Sequence, residues 1–265
     1  MNLKDRVALI TGGANGIGLA TAEVFLREGA KVVIADRDAS AGQQASERLG
    51  RQSAFIRADV SKKGDVKRLV EEATNLFGRI DFLINSAGII RYATAVTCTE
   101  EEWDEVLDIN LKSSFLCCKY AIPVMKKSQG GVIINVASAQ AHISSSNMVH
   151  YTTSKSALLG LTRSLAIDFA PAIRAIAVCP GTIDTPLARN AWAMSKNPEE
   201  VLQDSIDMHL LKRIGKPEEV AELIVFLCSD KAAFITGQYI RIDGGLGINV
   251  PGSVNDVPVV NKAFQ

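Results

Sequence analysis

Short apolar runs alternate with segments of helical period along most of this chain, and that alternation limits the possible folds more than any other feature. Val7–Thr11, Lys31–Ala35, Ser53–Arg57, Ile80–Asn85, Val132–Val136, Ile173–Val178 and Tyr239–Ile242 read as strands. Between them apolar residues recur at helical spacing, as at Leu19, Ala22, Phe25 and Leu26 ahead of the stop signal Gly29. Ala39–Leu49, Val66–Phe77, the stretch from about Glu100 to Met125, the segment carrying Ala157, Leu158, Leu161, Leu165 and Ala166, and Pro217–Leu227 read the same way. Strands joined by crossover helices build a parallel sheet. The expectation is therefore an α/β fold of one domain over 1–249, with 250–265 as a tail. The segment 187–211 has no regular pattern and is expected to lie over the site as a lid.

Composition excludes several functions. The 29 basic and 29 acidic residues balance, and no basic patch points to nucleic acid. The five cysteines include no Cys-x-x-Cys pair, which suits free thiols in a cytoplasmic protein. The three histidines lack metal-ligand spacing, so no metal is expected. No apolar run approaches the ~18 residues of a membrane span.

Two places carry chemistry. The first strand runs into Gly12-Gly13-Ala14-Asn15-Gly16-Ile17-Gly18 and then a helix. Glycines let backbone approach a phosphate, and a helix N-terminus offers free N–H groups to it. Asp36 ends the second strand, where a carboxylate accepts hydrogen bonds from ribose hydroxyls and repels a 2′-phosphate. Arg37 is adjacent and favours a phosphate, but Asp36 is expected to dominate. The second place is Ser138–Lys155. Tyr151 and Lys155 stand four apart on a predicted helix and so share a face. A nearby ammonium favours phenolate and lowers a tyrosine pKa, which suits proton exchange with an alcohol or carbonyl. Ser138 follows the fifth strand, at the edge where open α/β sheets bind ligands.

Thr11–Gly18, Asp59-Val60, Asn85-Ser86-Ala87-Gly88, Asn110, Ser138, Tyr151-x-x-x-Lys155 and Pro180-Gly181 together resemble the short-chain dehydrogenase/reductase family, in its order and across roughly residues 5–245. The resemblance implies a Rossmann-type, doubly wound sheet with helices on both faces, NAD as cofactor and a homotetramer. It implies Tyr151 as general acid/base, Lys155 lowering its pKa and holding the nicotinamide ribose, Ser138 on the substrate oxygen, and Asn110 positioning a water. Gly12, Asn15, Gly16, Ile17, Gly18, Asp36 and Arg37 are expected at the cofactor. Asp59 and Val60 would meet adenine, the backbone of Asn85, Ala87 and Gly88 would line the cofactor, and Pro180, Gly181, Ile183 and Thr185 would face the nicotinamide. Ser86 departs from the family pattern, which has a second Asn there.

The polar residues Gln140, His142, Ser144, Ser145, Ser146 and Asn147, with Asp184, Arg189, Asn190, His209 and Arg91 elsewhere, suggest a hydroxyl-rich substrate. Tyr151–Pro186 is also similar to the sugar 1-dehydrogenases of the family. The leading expectation is an aldose oxidised at its anomeric carbon, with Gln140 on a neighbouring hydroxyl. Arg91 or Arg189 selecting an acidic substrate is an alternative. Another secondary alcohol or ketone (hydroxysteroid, 3-oxoacyl or simple alcohol) and a non-catalytic NAD sensor are the other readings.

Overall fold

A computed structural model of the chain describes residues 3–248. The tail expected at 250–265, and residue 249, lie outside the described residues. The strands are β1 (Val7–Thr11), β2 (Lys31–Asp36), β3 (Ser53–Arg57), β4 (Phe82–Asn85), β5 (Gly131–Val136), β6 (Ile173–Pro180) and β7 (Tyr239–Ile242). They form one sheet in the order β3-β2-β1-β4-β5-β6-β7, and every neighbouring pair is parallel. The order reverses between β1 and β4, which leaves a crevice at the carboxyl ends of the strands.

The helices are α1 (Gly16–Arg27), α2 (Ala39–Leu49), α3 (Lys63–Phe77), α4 (Glu100–Leu107), α5 (Ser113–Lys127), α6 (Val149–Phe169), α7 (Pro186–Ala193), α8 (Pro198–Met208) and α9 (Pro217–Cys228). Alternation along the strands sorts the core into two layers. Ala8, Ile10, Val32 and Ile34 face Phe25 of α1, Ala45 of α2 and Ile224 of α9. Leu9 and Val33 face Leu69 of α3, Leu116 of α5 and Leu165 of α6. Both faces are thus buried, the condition under which parallel sheets occur.

Two expectations need correction. The segment 187–211 is not irregular: it holds two helices, each opened by a proline. The helical region expected from about Glu100 to Met125 is present, with Asp108–Lys112 as a π-helical turn between α4 and α5. β6 does not stop at Val178. It runs through Pro180, which pairs with Ile242 of β7. Pairing with β5 ends at Val178, so Pro180 lies where only one flank needs donors.

Among the described residues no helix is long and apolar enough to cross a membrane. Among them, too, no cluster of three or more His, Cys, Asp or Glu is placed to hold a metal ion.

Candidate active site

A cavity of about 500 Å³ opens along the carboxyl edge of the sheet. One wall is the β1–α1 turn. Gly12 has φ +64, and a Cβ there would stand 2.9 Å from the backbone of Ala87. At Gly18 a Cβ would meet the Gly12 carbonyl oxygen at 2.2 Å. Both positions exclude side chains, so the turn lies directly against the end of β4. The Thr11 hydroxyl ties these pieces by accepting the Ser86 and Ala87 N–H groups at 3.2 and 3.3 Å. Asn15, the N-cap of α1, makes no side-chain capping bond. The first N–H groups of α1 therefore stay available to an anion.

Asp36 lines the same cavity at the end of β2. Its carboxylate accepts the Ala14 N–H at 3.3 Å and the Asp38 N–H at 3.2 Å, which holds it beside the glycine turn. Arg37 is exposed and away from the cavity lining.

The opposite wall carries Ser138, Tyr151 and Lys155. Ser138 follows β5 and its hydroxyl accepts the Gln140 N–H at 3.1 Å. Its side chain also acts on Tyr151, tending to lower the pKa of the phenol. The Lys155 ammonium lies 5.7 Å from the centre of the Tyr151 ring and donates to the Val136 carbonyl at 2.9 Å. Here the expected pKa shift of Tyr151 is reversed. Burial is the largest influence and raises it, the Ser138 side chain opposes that rise, and Tyr92 adds to it. Burial likewise lowers Lys155 to about 8, with Cys179 opposing. Sharing a helix face brings the pair together, but the lysine points at a carbonyl rather than at the phenol oxygen. Desolvation therefore outweighs the attraction expected between them.

The roof is α7 and α8. Thr185 caps α7 by accepting the Ala188 N–H at 3.3 Å. Its methyl lies 3.1 Å from where a Gly16 Cβ would stand, so roof and floor touch at this point. From α7, Leu187, Ala188, Ala191 and Trp192 face the cavity; from α8, Val201, Ser205 and Met208 do so. These spacings mark one face of each helix.

A family model described as Enoyl-(Acyl carrier protein) reductase matches residues 12–247. An uncharacterized oxidoreductase of Thermotoga maritima is 43% identical over 249 residues, covering 92% of this chain and 98% of that protein. The chain belongs to the short-chain dehydrogenase/reductase family. Two solved structures are similar throughout. Aldohexose dehydrogenase of Thermoplasma acidophilum is 38% identical with a TM-score of 0.89, covering 95% of this chain and 98% of that one. The 3-ketoacyl-(acyl-carrier-protein) reductase of Brucella melitensis, complexed with NADH, is 35% identical with a TM-score of 0.86, covering 93% and 100%.

Within this short-chain dehydrogenase/reductase, most of the residues expected at the site do meet in one cavity. Gly12, Asn15, Gly16, Ile17 and Asp36 line it, as do Ala87, Gly88, Ser138 and Gln140. Tyr151, Lys155, Pro180, Gly181, Ile183 and Thr185 complete that group. Gly18, Arg37, Asp59, Val60, Asn85 and Asn110 lie outside the lining. Asp59 accepts from the Ser61 N–H and hydroxyl, and Val60 is buried in the core layer against α3. Asn85 turns inward and donates to Asn135 Oδ1 at 2.9 Å.

Asn110, on the π-helical turn, accepts the Ile89 N–H at 2.8 Å and donates to the Ile89 carbonyl and Ser154. A Cβ at Gly88 would lie 3.4 Å from its Oδ1 and 3.5 Å from Lys155 Nζ, so Asn110 and Lys155 both approach Gly88. Arg91 and Arg189 are engaged by Glu105 and Asp184 and do not face the cavity. Tyr92 and Ile143 line it without having been expected, and Leu187 and Trp192 line it from the segment expected as a lid.

Proposed function

We propose that this protein is an NAD(H)-dependent oxidoreductase interconverting an uncharged secondary alcohol and its ketone, the larger substituent of which is apolar. The observation that carries the reaction type is Ser138, Tyr151 and Lys155 lining the same cavity as Asp36 and the N-terminus of α1. That wall fits a dinucleotide in its chemistry. Free helix N–H groups beside a turn without side chains suit a pyrophosphate, and a carboxylate suits a ribose diol. Arg37 faces away, so the carboxylate is not offset by a cation, and NAD is preferred over NADP. NAD, when bound, takes or returns the hydride. Tyr151 takes or returns the hydroxyl proton, and Ser138 donates to the oxygen on which charge develops. Lys155 holds the second ribose and, when charged, stabilises the phenolate.

The substrate reading rests on the lining beyond Tyr151. Ile143, Leu187, Ala191, Trp192, Val201 and Met208 are apolar, and among the described residues Asp36 and Lys155 are the only charged ones lining the cavity. Gln140 uses its amide on Ser145, donating at 2.8 Å and accepting at 3.0 Å. Hydroxyls of a polyol set against that apolar face would lack partners, at about 1–3 kcal/mol each. An aldose is the second reading, favoured by the likeness to aldohexose dehydrogenase and by Ser145 and Ser146 at the rim. Assembly as a homotetramer belongs to the same proposal, with exposed Phe115, Ile167 and Phe234 as apolar surface to cover. Light scattering tests that assembly.

The test of function is turnover of aldoses, acidic sugars, simple secondary alcohols and hydroxysteroids side by side, with NAD and with NADP. We expect apolar secondary alcohols with NAD to give the highest kcat/KM. An aldose above all of them overturns the substrate class. No turnover with any of them, in either direction, overturns the enzyme.

A further inference from the structure

His209 follows α8 and is buried, with 2% of its surface exposed. It lies outside the main cavity, yet both ring nitrogens are engaged. The Thr182 backbone N–H donates to Nε2 at 3.2 Å. An amide nitrogen only donates, so Nε2 carries no proton, and the proton resides on Nδ1. Nδ1–H donates to the Ser205 carbonyl, one of the unpaired carbonyls in the last turn of α8. The imidazole thus joins the end of the roof to the end of β6.

The surroundings are shaped to admit the ring. A Cβ at Gly181 would stand 2.7 Å from Nε2, and one at Gly244 would stand 3.2 Å from Cδ2. Both glycines leave the space that the ring fills. The turn it holds continues into Ile183 and Thr185, which line the cavity. Ser205 and Met208 line it from the other side of the same junction.

We infer that His209 is a positioning residue, a neutral latch that keeps α8 and the cavity wall at Thr182–Thr185 in one register. It touches neither the reacting atoms nor the cavity, and acts through the Thr182 amide and the last turn of α8. Its kinetic consequence rests on the proposed reaction; its structural consequence does not.

The test compares His209→Leu, His209→Gln and His209→Asn. Glutamine places an acceptor at the reach of Nε2, whereas asparagine places a donor at the reach of Nδ1. Amide hydrogen exchange is measured on the protein without added ligand. NADH affinity follows from fluorescence titration, and kcat and KM from the best substrate. In His209→Leu, exchange at Thr182 and through 198–208 should rise ~10-fold or more relative to the sheet. KM and the NADH Kd should rise ~5- to 10-fold while kcat stays within ~3-fold. His209→Gln should restore Thr182 protection and most of the KM, and His209→Asn should not. Unchanged exchange and KM in His209→Leu overturn the latch. So does exchange rising equally across β1–β5, or Gln and Asn behaving alike. If no NAD binding or turnover exists at all, the proposed function fails, and the exchange arm still decides the latch.

Discussion

A single methyl group added at Gly18 would meet the Gly12 oxygen at 2.2 Å, whereas across the cavity no residue of α7 is buried at all. The β1–α1–β2 corner is defined by backbone against backbone: Gly12 on Ala87, Gly18 on Gly12, and the Thr11 hydroxyl on two amides. The roof is defined by side chains lying on a cavity. Leu187 and Met208 each keep about two-fifths of their surface exposed (41%). The corner has one workable shape, because backbone atoms cannot move aside singly. The roof tolerates changes of size at its apolar face, since its residues are only partly packed. A constant ligand part suits the first region and a variable one suits the second.

Five predictions break or sharpen that contrast. Tyr151 stands at the seam, and its effect is the largest. Tyr151→Phe keeps the ring and removes the proton carrier, so turnover should fall ~10²-fold or more. NADH titration should show unchanged affinity; near-normal turnover would show that the proton moves elsewhere.

Gly18→Ala tests the rigid corner. Forcing a methyl into this contact should cost about 1–3 kcal/mol of stability and weaken NADH binding with it. Thermal unfolding checks the first and titration the second. A protein as stable as wild type with intact affinity would mean that the corner can yield.

On the same side, Asp36→Ala should bring a preference for NAD of at least ~10-fold close to parity. The change should come from weaker NAD binding, because Arg37 does not face the cavity. Competitive kinetics with both dinucleotides measure it. A gain in NADP affinity larger than the NAD loss would place Arg37 at the site after all. Trp192→Ala, across the cavity, should leave the melting temperature within a few degrees and lower kcat/KM for an apolar substrate roughly tenfold. A large loss of stability would show that the roof is core rather than ligand surface.

The smallest effect is on pH. Burial holds the Tyr151 proton, so the phenol is available for carbonyl reduction across the neutral range. Oxidation needs the phenolate, whose population grows as pH rises toward the raised pKa. Oxidation rates should therefore climb as pH rises from 7 to 9 while reduction stays flat near neutrality. A parallel fall of both would contradict that assignment.

Much of the site was legible because its signals are local. A strand buried on both faces must be apolar, and a turn with positive φ and no room for Cβ must be glycine. A proton carrier and its neighbour on one helix face must stand four apart. Asp36, Ser138, Tyr151 and Lys155 all follow from such rules. The two roof helices were hidden because Pro186 and Pro198 divide the pattern into pieces too short to show a period. The π-helical turn at Asn110 was hidden for the opposite reason, since apolar spacing continues across it.

By itself the amino-acid order determined the layered sheet, the glycine corner and which candidate side chains would meet at one site. Tertiary structure alone decided where Lys155 aims, that Arg91 and Arg189 are engaged by Glu105 and Asp184, and that Tyr151 is raised rather than lowered. It also decided that His209 grips Thr182 from 27 positions away. These outcomes depend on desolvation and on partners distant in sequence, and neither is encoded in the spacing of neighbouring residues.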